Sequence, residues 1–420
     1  MTATTASALA AGLGPDGLSL KASLARAERR SRLVSFALVA PLLLFIVASF
    51  CIPLGFMLYR AIDNPEVAET LPATVAAMKG WTQGGVPDEP VFAALAADLI
   101  AAQKARTTGL VGKRVNYEIP GARSKFLKVG RELERAPAGG PWKPVFAKSD
   151  PQWTDPVFWS ALKRIGQPMT AFYLLSAVDL RLDEHGSLTR QVPDQAIFLD
   201  VLFRTLWISL LVTISTLVLG YPIAHLLASL PPRHANLLML LVLLPFTTSI
   251  LVRTTAWVVL LQTNGVLNDV MVWLGLLDER IQLIYNRFGT VLAMTHIQLP
   301  FTVLPIYSVM KGISPAHMRA ARSLGAGPVY AFTRVYMPQT LPGVGAGCLL
   351  TFILSLGYYI TPALVGGPLD QMISYFVALY TNRELNWGQA SALGAVLLAV
   401  TMVFYAIFNR LVGIDKVKLG

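Results

Sequence analysis

Residues 317–343 read HMRAARSLGAGPVYAFTRVYMPQTLPG. The chain on either side is strongly apolar, yet this stretch holds three arginines, three prolines and three glycines. Just upstream, Ser314 and Pro315 have the chemistry of a helix start. The hydroxyl can accept an orphan N–H, and proline lacks a donor where none is needed. The residues PAHMRAARSL, with Ala320 and Ala321 in their middle, favour helix. Gly325 follows the last leucine, at the position where helices end through positive φ. Gly327-Pro328 restarts a second helix, PVYAFTRVYM, and Pro338 and Pro342 are expected to delimit its return to the apolar run. The expected product is a helix–turn–helix. Its first helix, of about 10 residues and roughly 15 Å, stands out as a rigid peg.

Composition says what surrounds this peg. Of 420 residues, 54% are hydrophobic and 14% charged, and the mean hydropathy is +0.55. A soluble chain carries roughly 25% charged residues, so much of this one is expected to face lipid. The formal charge is +11, but the basic residues are scattered, which argues against a nucleic-acid surface. Cys51 and Cys348 both fall within apolar runs and are expected to be small buried hydrophobes. They offer neither a disulfide framework nor metal-ligand spacing.

Six segments are long and apolar enough to span a bilayer: about 34–59, 201–230, 236–262, 288–310, 343–365 and 390–412. The stretch between the third and fourth is partly apolar and reads as an interfacial or re-entrant turn. The basic run ARAERRSR precedes a first apolar run too long for a signal h-region and without a small-residue cleavage site, so a retained signal-anchor helix is expected. Positive charge then sets orientation. Arg26, Arg29, Arg30 and Arg32 mark a cytoplasmic N-terminus. Arg233, the group Lys311, Arg319, Arg322 and Arg334, and the tail residues Arg410, Lys416 and Lys418 mark the other inner segments. The peg is therefore expected in the cytoplasm, with both termini inside.

Residues 61–199 are a different kind of sequence, polar and rich in Pro and Gly. EPVFAALAADLIAAQKAR and ARSKFLKVGRELERA read as amphipathic helices. Asp98, Gln103 and Lys104 make the first too short to span. The insert is expected outside the membrane as a small helical domain or cap. The expected organisation is a tail at 1–33, a first transmembrane helix at 34–60, the insert at 61–199, a five-helix core at 200–413 containing the loop 314–342, and a tail at 414–420.

Catalytic chemistry is not in evidence. GLVGKR at 109–114 has the wrong spacing for a phosphate loop, and no zinc-protease, nucleophile-elbow or Cys–His pattern occurs. No catalytic residue and no metal ligand is expected. The inner parts of the spans hold no Asp or Glu, which argues against an ion-coupled secondary transporter or channel. Arg204 is expected to snorkel to an interface. Arg253 sits deeper, where a lone arginine is costly, and either lines a path or makes structural hydrogen bonds. His296 is expected to make a helix–helix contact.

The spacing of the opening stretch resembles the signature loop of permease subunits of binding-protein-dependent ABC importers. That pattern is Glu-Ala-Ala, three residues, Gly, nine residues, an aliphatic residue, one residue and Leu-Pro. Ala320 and Ala321 stand at the alanines, Gly325 at the glycine, and Val335, Met337 and Pro338 at the end, with Met for Leu. Arg319 stands where the glutamate is expected, with Arg322 close by on nearly the same face. RTLWISLLVTISTLVLGYPIAHLLA, LPFTTSILVRTTAWVVLL, MTHIQLPFTVLPIYSVMKGIS and LPGVGAGCLLTFILSLGYYITPALVGGP are similar to stretches of spermidine/putrescine-type permeases. The likeness covers nearly everything but the N-terminal tail and the insert.

The resemblance implies an all-α integral membrane protein with the six-helix type I ABC importer permease fold and a large extracytoplasmic helical insert after the first span. It implies import of a small organic solute, a polyamine first and an opine, phosphonate or amino-acid-like solute as alternatives. Its implied partners are a cytoplasmic ABC ATPase dimer, a second permease subunit (a heterodimer), a periplasmic binding protein and the lipid bilayer. ATP would be bound by the ATPase, and this chain would need no cofactor. Arg319, Ala320, Ala321, Arg322, Gly325, Val335, Met337 and Pro338 would form the ATPase-coupling loop. Because aromatic faces hold cations, Trp257, Tyr358 and Tyr359 join Arg253 as candidate path residues.

Overall fold

The computed structural model describes residues 20–412 apart from 83, 137–138 and 184–185. Residues 1–19 of the expected N-terminal tail, and the expected C-terminal tail at 414–420 with Lys416 and Lys418, lie outside the described residues. The chain divides into two units, Met1–Tyr59 and Arg60–Gly420. The described part of the first unit is one long helical run: α1 (Leu20–Ile46), a wide π turn (Val47–Cys51) and α2 (Ile52–Arg60). Helix therefore begins well before residue 34 and takes in the basic run ARAERRSR, whose residues are good helix formers. Cys51 is exposed on this helix, not buried as expected; Cys348 is half-buried.

The insert folds as a lobe of short helices: α3 (Pro65–Thr70), α4 (Pro72–Lys79), α5 (Glu89–Lys104), α6 (Thr108–Asn116), α7 (Ala122–Leu133), α8 (Trp142–Ser149), α9 (Pro156–Ile165) and α10 (Phe172–Ser176). Four of these have proline at their first or second position, where its missing N–H is harmless. The two amphipathic segments read from sequence are α5 and α7. A two-stranded antiparallel hairpin, β1 (Leu180–Leu182) and β2 (Leu188–Arg190), closes the lobe, so the fold is not wholly α. The lobe buries its own aromatic core. Phe92 meets Trp159 edge-on at 4.8 Å, and Trp153 meets Phe146 at 5.0 Å and Phe126 at 5.2 Å.

The two ends of the lobe are clasped. Asn64 N–H donates to the Pro168 carbonyl at 3.0 Å, and Thr170 N–H to that of Ile62 at 2.8 Å. Buried Asn64 also donates through Nδ2 to the carbonyls of Ile165 and Gln167, and accepts from Arg114 Nε at 2.6 Å. The lobe is thus a closed excursion that leaves and rejoins the main fold at one place. It is seated on the core where Gly388 meets Tyr173, since a Cβ at Gly388 would overlap the tyrosine ring.

The core comprises α11 (Phe198–Ser229), α12 (Pro232–Thr247), α13 (Ile250–Leu261), α14 (Val266–Trp273), α15 (Arg287–Gly312), α16 (Pro315–Ser323), α17 (Pro328–Ala331), α18 (Met337–Leu356), α19 (Ile360–Val365), α20 (Ile373–Asn382) and α21 (Trp387–Val412). With the first unit's helix, six helices among the described residues are long and apolar enough to cross a membrane. The packed centre is α11, α15 and α18.

Three expectations change here. The third expected span, 236–262, is broken after Thr247, because Thr248 is extended and Pro245 lies one turn before it. Its second half is α13. The fifth is not 343–365 but Pro328–Leu356, ending at Gly357, with α19 a separate short helix. Arg204 does not snorkel freely. Asp200, one turn earlier, pairs with it at 2.6 Å, and the Gln371 carbonyl accepts at 3.4 Å.

Candidate functional site: the hairpin and the buried arginine

The peg is α16. Ser314 Oγ accepts the Ala316 N–H at 3.3 Å, so the N-cap forms as read from sequence. At the other end Gly325 has φ +87°, and Ala326 N–H donates to the Ala321 carbonyl at 3.0 Å. A residue with a Cβ is strained at that φ, which explains glycine there. No residue of α16 is buried. At its tip Leu324 is 89% exposed, and Val329 and Tyr330 lie open beside it. Arg319 and Arg322 are exposed and form no ion pair among the described residues.

The second helix of the hairpin does not stop at Pro338. It runs through α17, a π turn at Phe332–Tyr336, and into α18 without a break. The wide turn, closed by Met337 N–H on the Phe332 carbonyl, gives the Pro338 ring room that a regular α turn denies it. Pro338 and Pro342 therefore sit inside a continuous helix, and the hairpin is rigidly joined to the fifth span. Val335 is half-buried, while Met337 and Pro338 are exposed.

Three contacts brace the hairpin, and none was read from sequence. Gln339 on α18 donates to the Val335 carbonyl at 2.6 Å and meets His317 Nδ1 of α16 at 2.8 Å. Below it, His225 of α11 is held edge-on by the rings of Phe332 and Tyr336, with centroids at 5.3 and 5.2 Å. Tyr221 Oη meets Thr340 Oγ1 at 3.2 Å. The available signal was the four-residue spacing of Phe332 and Tyr336, which puts both rings on one helix face; their partner on α11 left no local trace.

Deeper in the core, Arg253 is half-buried, and its Nε and Nη1 are buried without hydrogen-bond partners among the described residues. One turn on, Trp257 Nε1 donates to His296 Nδ1 at 3.1 Å, which is the helix–helix contact expected of His296. Tyr358 packs on the cluster of Ile208, Val212, Met294 and Met372. Arg253 and Trp257 thus lie one turn apart on α13, Tyr358 belongs to a different cluster, and Tyr359 precedes α19 and is 39% exposed. Among the described residues no group of His, Cys, Asp and Glu is placed to hold a metal ion.

Comparison with known proteins identifies relatives of this chain. Residues 216–414 match the family described as binding-protein-dependent transport system inner membrane component. The spermidine/putrescine transport system permease protein PotB of Salmonella typhimurium (strain SL1344) is 33% identical over 214 residues, 51% of this chain and 75% of that protein. PotB of Escherichia coli (strain K12) is 32% identical over 214 residues, 51% and 78% of the two chains. Among solved structures, a bacterial alginate ABC transporter in complex with alginate pentasaccharide-bound periplasmic protein aligns at 21% identity and a TM-score of 0.41, covering 51% of this chain and 77% of that one.

Proposed function

The chain belongs to the family of binding-protein-dependent transport system inner membrane components, and from that membership we propose that it forms part of the translocation pathway for a small organic solute, a polyamine first. It is a multi-pass inner-membrane permease subunit of an ABC importer. In this reading both termini and α16 face the cytoplasm and the lobe faces outward. Two permease subunits, this chain and a different one, enclose the path. A periplasmic binding protein delivers solute, and a cytoplasmic ATPase dimer binds and hydrolyses ATP, so this chain does no chemistry and needs no cofactor.

The observation that carries the reading is the exposed, capped peg. It presents Arg319, Ala320, Ala321 and Arg322, and is braced to α18 through Gln339. A peg in a cleft of an ATPase can move the spans as rigid bodies when the ATPase closes. Polyamine as solute is supported by the PotB relatives. The unpartnered guanidinium of Arg253 instead favours an acidic or neutral solute. Ligand binding by the cognate binding protein decides between them.

Reconstitution with the ATPase, second permease and binding protein tests the reading. ATP-dependent uptake should require this chain, and uptake without ATPase would sink it. Arg319 in place of the family's glutamate calls for an acidic partner on the ATPase or for a second permease that keeps the glutamate. Arg319→Glu should lower uptake at least about tenfold, since a like-charge contact costs several kcal/mol and about 1.4 kcal/mol is already tenfold. If that variant raises uptake with the ATPase unchanged, the compensation idea is wrong.

A further inference from the structure

We propose that α14 and the turn after it form a lipid anchor, seated in the membrane–water interface on the side opposite the peg. The side follows from chain direction. α11 ends beside the peg hairpin, where His225 meets Phe332. α12 and α13 then lead away from the peg, and α15 returns to it at Gly312. A turn separates α14 from α13. Gln262 is extended, and Gly265 N–H donates to its carbonyl at 2.8 Å. A Cβ at Gly265 would meet the Val259 and Leu260 carbonyl oxygens at 2.6 and 2.7 Å, so the reversal needs glycine. The 8 residues of α14 reach only about 12 Å, far short of a crossing.

α14 has two apolar faces, and the fold covers one of them. Leu267 and Met271 pack on the cluster of Leu261, Leu283 and Ile284. Val266, Val270 and Trp273 share the other face by their helical spacing, and all three are exposed. Trp273 is 83% exposed, and Leu274 and Leu276 extend the patch beyond the helix. A contiguous apolar patch of this kind marks an interaction surface. The patch is also held firmly. Asn268 is fully buried, and its Nδ2 donates to the carbonyls of Gln262 and Ile281 at 3.2 and 2.9 Å. Its Oδ1 accepts the Ile281 N–H at 3.0 Å, and Asp269 pairs with Arg280 at 2.7 Å.

Three features name lipid as the occupant. The apolar window of Ile250–Trp273 is 17% buried, against 61% for that of Arg287–Gly312, so α13 and α14 stand at the rim of the bundle. Trp273 joins a large apolar ring to an indole N–H that has no partner among the described residues. That pairing fits a place with one apolar side and one wet side, which is where tryptophan gathers in membrane proteins. Beyond the patch, Asp278, Glu279 and Arg280 follow at once and are exposed. The chain thus passes from apolar to charged within a few residues, as the medium does across the headgroup layer. A helix with such a face sinks about 5–10 Å into the boundary between headgroups and acyl chains. Seated there, α14 anchors the ends of the third and fourth spans at the interface. The anchor does not depend on the solute carried or on the ATPase.

Fluorescence quenching by brominated lipid tests this. The full chain and Trp273→Phe are reconstituted in phosphatidylcholine vesicles brominated either near the headgroup end or near the methyl end of the acyl chains. Trp273 is one of 8 tryptophans, so its signal is the difference between the two proteins. Its exposure means that the substitution leaves the fold intact. The shallow bromines should quench that signal about twofold more strongly than the deep ones, as an interfacial depth implies. The quenching should persist when the second permease and the ATPase are assembled. Val270→Asp puts a charge on the same face and should reduce it. No quenching by either lipid, stronger quenching by the deep bromines, or quenching that Val270→Asp leaves unchanged overturns the proposal. Quenching lost on adding the second permease also overturns it, because the face is then a contact between permeases. ATP-dependent uptake is read separately, and its absence beside intact shallow quenching strikes the transport reading and spares the anchor.

Discussion

The lobe and the bundle solve the same packing problem with opposite residues. The lobe fills its centre with Phe92, Phe126, Phe146, Trp153 and Trp159, all essentially inaccessible. The bundle brings helices together at Gly220, Gly343 and Gly347, and across buried hydroxyls such as Thr302, Thr351 and Ser355. In water, burying a large apolar side chain gains about 1.5–3 kcal/mol. In lipid that gain vanishes, because the tails are as apolar as leucine. Close backbone approach and interhelical hydrogen bonds do the holding instead. The residue types at the two centres therefore report which solvent each was built for.

The sharpest way to break that contrast is in the lobe. Trp159 is edge-on to Phe92 and donates through Nε1 to the Trp153 carbonyl at 2.9 Å. Trp159→Ala should destabilise the lobe by about 3–5 kcal/mol, visible as protease sensitivity between residues 65 and 167 while the bundle stays resistant. A lobe that resists protease in this variant would mean that its stability comes from the core beneath it and not from its own centre.

What could be read from sequence follows from the same physics. Helix starts, the capped peg and the apolar spans are local patterns of a few residues, and they were legible. The break at Thr248, the π turn under Pro338 and the seat of Gly388 on Tyr173 depend on neighbours distant in the chain, and they were not. The GVGAG run of 343–347 did carry a small-residue spacing, but nothing local named Thr302 and Pro305 as the backbone it would touch. The site divides likewise. Ala320, Ala321 and Gly325 were placed by spacing, whereas Gln339 and His225 act through partners on other helices.

In the bundle the expected effect is intermediate. A Cβ on Gly347 would meet the Thr302 carbonyl oxygen at 2.8 Å, and one on Gly343 that of Pro305 at 2.9 Å. Backbone cannot yield as a side chain can, so Gly347→Val should cost about 1–3 kcal/mol through overpacking. The readout is the thermal transition of the purified protein in detergent, with the lobe's protease resistance unchanged. A variant as stable as the parent would show that α15 and α18 do not depend on close approach.

The smallest effect is the most discriminating. Thr302 and Thr351 share a hydrogen bond of 2.6 Å between α15 and α18, fully buried. Hydroxyls in a membrane bundle find other partners when separated, so such bonds average only about 0.6 kcal/mol in double-mutant cycles. The cycle Thr302→Val, Thr351→Val and both together should therefore return a coupling of about 0.6 kcal/mol. A coupling of several kcal/mol would mean that the seam is held by polar specificity more than by glycine contact. The lobe and the bundle would then differ in kind of contact but not in its strength.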